Sequence, residues 1–467
     1  MNDSLVVRQL ALGAVRWRAW SGDALDEARA RGLPLLLFCG DGLDHWTAAM
    51  AAGIVADAQV CELIEQAFVP VAVDVAAAPG VARRVQETLA LTADARGWPA
   101  IAFMTADARP FGAVPYRPIR DQEREKGLAR ILVEVAQRWR DARDDCVADA
   151  ARVVDAITGM YASFAPDGRR FDPDLVLGNA EAQAMTIADV INGGFGPAPR
   201  HPNAPLIEFL IARCARPDPP LALTRQVERT LAAMAAGGLH DHLGGGFFRA
   251  ATDETWTVPF FAKGRDENLA LARVYERAAR VFARDYYAEV AQRTRAFCAS
   301  AFGEPPTAAG LHADSRGADG AVRDGAYSTW TRREIAAVIG SDGADLVCQR
   351  YGITDAGDLD DGRSVLAVRG DVDDEQAARL PALMQRLAVA RAEREAPPLA
   401  PIVAVITEPA LDPPPSFAVD GDAPRDPAEA LALVRAHTGL LRRAPLACPG
   451  LCLALEELVV SQTWAQE

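Results

Sequence analysis

The residues best suited to chemistry lie in one glycine-dense stretch. It runs Gly237-Gly238-Leu239-His240-Asp241-His242-Leu243-Gly244-Gly245-Gly246-Phe247-Phe248-Arg249, with Asp253, Trp256 and Val258-Pro259-Phe260-Phe261 close behind. Carboxylates, an imidazole and a guanidinium set together are what general acid–base work on a polar small molecule requires. Asp241, His242 and Asp253 are therefore the candidate catalytic groups, with Arg249 and Trp256 as candidate binding groups. Glycine permits close backbone approach and positive φ, as a pocket-lining loop needs. The same residues fit equally well a plain helix-to-helix connection whose polar groups satisfy the backbone. The pattern His240-x-His242 suggests a metal. Alternation in a loop does not make two imidazoles converge, however, so neither metal nor cofactor is expected.

The elements that position this stretch are helical. Residues 230–236 carry apolar side chains at helical spacing, and Gly237-Gly238 reads as a left-handed C-cap. Helical spacing also marks 128–140, 150–162, 206–214, 224–236, 267–282 and 286–302, with glycine- and proline-rich loops between them. The first part of the chain differs. Continuous apolar runs at 33–39, 68–73 and 99–104 read as strands buried on both faces. Helices are expected over 24–31, over 45–66 with a break near Gly53, and over 81–91, and a hairpin partner over 111–114. Strand–helix–strand followed by a hairpin is a thioredoxin-like arrangement, and Pro99 at the mouth of a strand suits the cis-proline of that fold.

Composition narrows the class. A chain of 467 residues that is half hydrophobic has ample material for more than one core. The net charge of -15 argues against nucleic acid, because an acidic surface releases no counterions from a phosphate backbone. No apolar run approaches the roughly 20 residues of a membrane span, and 1–20 lacks the apolar core of a signal peptide. A cytoplasmic protein is expected, with its eight cysteines reduced and mostly buried.

A family resemblance runs across most of the chain. Trp17-Arg18-Ala19-Trp20, Gly97-Trp98-Pro99 followed by Phe103, Pro110-Phe111-Gly112, Gly193-Gly194-Phe195-Gly196-Pro197-Ala198-Pro199-Arg200, the glycine stretch itself, and Ala313-Asp314-Ser315 with Gly325 and Trp330-Thr331 occur in order. These resemble motifs of the spermatogenesis-associated protein 20 family and its bacterial YyaL members. The resemblance implies a thioredoxin-like domain over 1–122, an all-α (α/α) toroid of the six-hairpin glycosidase type over 123–411, shortened here, and a linker with C-terminal helices over 412–467. The resemblance also adds Asp314 to the candidate catalytic groups and Lys263, Asn268 and Ser315 to the candidate binding groups.

The departures from that family carry chemical weight. Its redox loop has cysteines where this chain has Asp44 and Thr47, in Asp44-His45-Trp46-Thr47. Thiol–disulfide exchange needs a thiolate nucleophile and a resolving sulfur, and neither residue supplies one. Cys39, within a strand, is expected to be buried. Phe248 and Phe260 stand at two of the family's histidine positions, Ala262 at its glutamate, and His312 at the first aspartate of its D-A-D-S motif. The expectation is a degenerate member without redox activity that binds a sugar-like small molecule or acts as a scaffold, with a protein partner or self-association. The alternative is a carbohydrate-active enzyme using Asp241, His242, Asp253 and Asp314. Asp241, Arg249 and Asp253 are expected to line one cavity.

Overall fold

The computed structural model describes all residues except 1–4, 43, 76, 167, 304–309, 314–324, 395–398, 402–425 and 467. The described residues divide into two compact units, 5–163 and 164–401 with 426–466. Asp314, Ser315 and the expected linker at 412–425 lie outside them.

The first unit runs α1 (Leu5–Leu10), β1 (Arg18–Ala19), α2 (Gly22–Arg31), β2 (Leu35–Gly40), α3 (His45–Ala56), α4 (Ala58–Ala67), β3 (Val69–Asp74), α5 (Pro79–Ala93), β4 (Ala100–Met104), β5 (Pro110–Pro115), α6 (Leu128–Asp141) and α7 (Arg143–Ser163). Its sheet has the order β1-β3-β2-β4-β5. The first three strands are parallel and the last two pairings antiparallel, with Leu37 opposite both Val71 and Ala102. Every residue of β2 and β4 is buried. Successive strand residues point to opposite faces. Leu36, Phe38, Ile101 and Phe103 therefore enter one core, and Leu35, Leu37, Cys39 and Ala102 the other.

The first core extends further along the chain than the sequence boundary at 122. Leu128, Leu132 and Ala136 on α6, and Cys146 and Ala150 on α7, belong to it. Trp139 stacks on Phe111 at 5.5 Å and donates its indole N–H to the Gly32 carbonyl at 2.9 Å. The unit therefore ends near Ser163. A second difference concerns the break between α3 and α4. It falls at Asp57, whose side chain caps α4 by accepting from Gln59 and Val60, whereas Gly53 gives room to Ile119.

The second unit is largely helical: α8 (Pro173–Thr186), α9 (Ala204–Cys214), α10 (Leu221–Ala236), β6 (Ala262–Gly264), α11 (Arg265–Phe282), α12 (Asp285–Phe302), β7 (Gly310–Ala313), α13 (Arg332–Ile339), α14 (Ser341–Tyr351), α15 (Asp374–Ala392), β8 (Leu399–Pro401), α16 (Pro427–Ala436), α17 (Thr438–Arg443) and α18 (Pro449–Val460). Neighbours pack in pairs, α9 with α10, α11 with α12 and α13 with α14. Paired helices are the repeating element of (α/α) architecture. The three short strands form an antiparallel sheet, β6-β7-β8, that the helical reading missed. The C-terminal helices are not a separate block. Helix α18 packs on α8 and α9, and the buried Glu456 takes Arg213 at 3.1 Å and Arg216 at 2.5 Å.

Candidate functional site

The glycine stretch follows α10. Gly237 caps that helix in extended backbone, φ -69 and ψ 175, not in the left-handed form read from the sequence. It must be glycine for space, since a Cβ there would lie 2.5 Å from the Trp256 carbonyl oxygen. The left-handed glycines are Gly245 and Gly246, each at φ +72. They press the loop onto α12. A Cβ on Gly245 would stand 2.7 Å from the Arg293 carbonyl, and one on Gly246 would run into the Phe297 ring.

Asp241 sits at the centre of the loop, 7% exposed. Its carboxylate accepts from Lys263 Nζ at 2.5 Å, from Arg391 Nη1 at 2.8 and 3.0 Å, and from the amides of Leu243 and Gly244, both at 2.9 Å. Burial alone would raise its pKa, but Arg391 and Lys263 together hold it well below the usual carboxylate range. Lys263 also donates to the Gly245 carbonyl at 2.8 Å and lies over the Phe248 and Phe297 rings. Phe248, at a family histidine position, thus supports a cation. An aspartate so enclosed holds the loop in shape and neither gives nor takes a proton near neutrality. The guanidinium that does this is Arg391, not Arg249.

His242 is a helix cap. Its Nε2 lies 3.1 and 3.0 Å from the Ala236 and Gly237 carbonyls at the end of α10, which also accept from the Val368 and His240 amides; two acceptors facing one nitrogen assign the ring proton to Nε2. Burial brings its pKa down to about 4. His240 is 2% exposed and neither ring nitrogen has a partner. It packs on Phe247 at 4.9 Å and on His242 at 5.1 Å. Burial, with His242 next to it, keeps it neutral. Among the described residues no group of three His, Cys, Asp or Glu side chains is placed to hold a metal ion.

The remaining candidates are dispersed. Asp253 binds its own turn, accepting from the amides of Thr255 at 2.8 Å and Val258 at 2.6 Å. Arg249 pairs with Glu267 at 3.2 Å, both partly exposed. Trp256 is buried under Arg200, with its indole 3.4 Å from the Gly193 carbonyl. Asn268 clamps Phe247, accepting from its amide at 2.6 Å and donating to its carbonyl at 2.9 Å. Asp241, Arg249 and Asp253 therefore serve three separate hydrogen-bond systems.

In the first unit, Asp44 is the N-cap of α3. Its Oδ2 accepts from the Thr47 amide at 2.6 Å and the Thr47 hydroxyl at 2.9 Å. Thr47 is fully buried against Gly40. Trp46 is 47% exposed and meets Tyr116 edge-on at 4.8 Å. The Trp98–Pro99 peptide is cis. Cys39 is fully buried, and burial pushes its thiol far above the ordinary range. All eight cysteines are free and buried. No single helix among the described residues is long and apolar enough to cross a membrane.

A family model described as Thioredox_DsbH, protein of unknown function, DUF255, matches residues 1–158, the length of the first unit. Human spermatogenesis-associated protein 20 is 27% identical over 393 residues, covering 77% of this chain and 49% of its own length. The mouse protein is 25% identical over 400 residues, again covering 77% of this chain and 49% of its own. The chain spans about half the length of these curated relatives. The crystal structure of a sugar epimerase from a ruminal bacterium gives a TM-score of 0.28 at 13% identity, over 45% of this chain and 52% of that one, a likeness too slight to carry an argument. With a DUF255 match at the N-terminus and alignments that run on into the helical unit, the chain is similar to spermatogenesis-associated protein 20 over about three quarters of its length.

Proposed function

We propose that the protein acts by binding, with a redox-silent thioredoxin-like unit and a helical unit that holds a small polar ligand. The observation that carries the first half is the Asp44–Thr47 contact. At the positions where the family has two cysteines, a carboxylate caps a helix and a hydroxyl is buried beneath it. Exchange requires an accessible thiolate. Cys39, the closest cysteine in sequence, is sealed in the sheet.

The carbohydrate-active alternative rests on Asp241, His242, Asp253 and Asp314. The three that are described are each engaged in holding backbone, which favours binding over turnover. An insulin-reduction assay on the purified protein tests the redox half. No turnover above background is expected. Turnover abolished by Cys39→Ser, or by replacing any other single cysteine, would overturn it.

A further inference from the structure

Beyond the glycine loop, α12 and α14 bring together a set of aromatic and cationic groups beside His242. Tyr286, Glu289 and Arg293 lie on α12 at i, i+3 and i+7, one helical face. Tyr286 is 48% exposed. Arg350 and Tyr351 end α14. The Tyr351 ring stands 5.2 Å from His242, edge-on. Arg293 reaches the same place, donating from Nη2 to the His242 carbonyl at 2.7 Å.

Two features mark this patch as built for a ligand. The first is charge. Arg293 donates only to the His242 carbonyl and Arg350 only to the Gly370 carbonyl. Neither meets a carboxylate among the described residues, in a chain of net charge -15, whereas Arg295 nearby on the same helix pairs with Glu276 and Arg284 with Glu228. Both guanidinium charges act on the phenols of Tyr286 and Tyr351, against the desolvation that raises their pKa values. Glu289 is the acidic neighbour in reach. The second feature is an acceptor. With its proton on Nε2, His242 has a bare Nδ1 lone pair, and that atom has no partner. A hydroxyl donor suits it.

We propose that Tyr286, Tyr351, Arg293, Arg350 and Nδ1 of His242 form a binding site for an anionic sugar, a hydroxylated ring bearing a carboxylate or phosphate. The C–H face of such a ring packs on a phenol, which offers large area at little conformational cost. A hydroxyl donates to Nδ1, and the anion takes the guanidinium groups in charge-assisted hydrogen bonds. This rests on the reading of the helical unit as a binding unit and names its ligand class.

The test is calorimetric titration of the full chain with glucuronate and with glucose 6-phosphate. Glucose, inorganic phosphate and a polyglutamate peptide are the controls. Both anionic sugars should bind, glucose and phosphate each about tenfold more weakly, since losing a charged hydrogen bond is worth at least that factor. Arg293→Gln and Tyr286→Ala should each weaken binding about tenfold. Tyr286→Ala is a surface change, so its melting without ligand should match the parent; Arg293→Gln also loses the bond to the His242 carbonyl and should melt slightly lower.

No binding of either sugar tighter than roughly 10 mM would overturn the site. So would equal binding of inorganic phosphate alone, the mark of an adventitious ion, or tighter binding of the peptide. Full-strength sugar binding by both variants would remove this site while leaving the binding function intact. A positive insulin assay would do the reverse, ending the redox-silent reading without touching the titration.

Discussion

Arg391 and Asp241 are 150 residues apart in sequence and in contact in the fold, the guanidinium Nη1 donating to both carboxylate oxygens at 2.8 and 3.0 Å. Lys263 completes the cluster from a third element. The loop richest in catalytic residue types is thus fixed from within by a buried ion cluster. All three residues are less than a tenth exposed.

Breaking such a cluster by removing one partner is costly, because the cations left behind stay buried. Asp241→Asn keeps the shape and removes the charge. It should lower stability by about 3–5 kcal/mol, read from the urea midpoint at unchanged slope. A loss under about 1 kcal/mol would mean that the cluster is hydrated in solution and contributes little.

Stability should fall as pH drops below about 6.5. His242 has its pKa lowered from 6.5 to about 4. Between those values the unfolded chain takes up a proton that the folded chain refuses. Its contribution is complete above pH 6.5 and is lost as pH falls towards about 4, roughly 3 kcal/mol in all. His240 acts in the same direction. Denaturation midpoints across that window should show the slope, and His242→Gln should flatten it. An unchanged slope in the variant would assign the effect elsewhere.

The two histidines should differ under substitution. His242→Leu removes the imidazole donor that two carbonyls at the end of α10 share, leaving them the Val368 and His240 amides, a loss of about 0.5–1.5 kcal/mol. His240 has no partner to lose. His240→Leu should be neutral or stabilising, because it removes two unsatisfied buried nitrogens. A loss above about 2 kcal/mol would show that an internal water satisfies the ring.

Native thiol chemistry should be silent. All eight cysteines are free and buried, with Cys214 and Cys298 pushed up to about 11. A thiol reagent should find none in the folded protein and eight after denaturation. Rapid labelling of one thiol in native buffer would identify a breathing segment around it.

Much of the first unit was legible. Leu35–Gly40, Val69–Asp74 and Ala100–Met104 are continuous apolar runs, and a strand buried on both faces writes itself that way. The allegiance of α6 and α7 was not legible. An apolar stripe at Leu128, Leu132 and Trp139 says that a face is covered, not what covers it. Strands of three or four residues, such as Ala262–Gly264, carry no period at all. Asp44 was read as an absent cysteine, although Asp three residues before Thr47 at a helix start also carries a capping signal. At the candidate site the sequence does not tell which partners the polar residues take. No local pattern points from Asp241 to Arg391.

The fragment boundary follows from the same packing. A chain ending at 122 lacks Trp139, so Phe111 keeps Phe103 but loses the nearer of its two stacked rings. It should precipitate or melt well below a chain ending at 163, measured by circular dichroism. Equal melting of the two would show that α6 and α7 add nothing to that core.

The buried ion pair between Glu456 on α18 and Arg213 on α9 spans 243 residues. On a ribosome adding about 5–20 residues per second, α9 waits on the order of ten to fifty seconds for its cover. Over that interval a helix reading Leu-Ile-Glu-Phe-Leu-Ile, one of the most apolar in the chain, has no α18 to pack against. Nascent chains of this protein are therefore natural clients for holding chaperones, and a slow-codon stretch placed before α18 would lengthen that dependence without altering the finished fold.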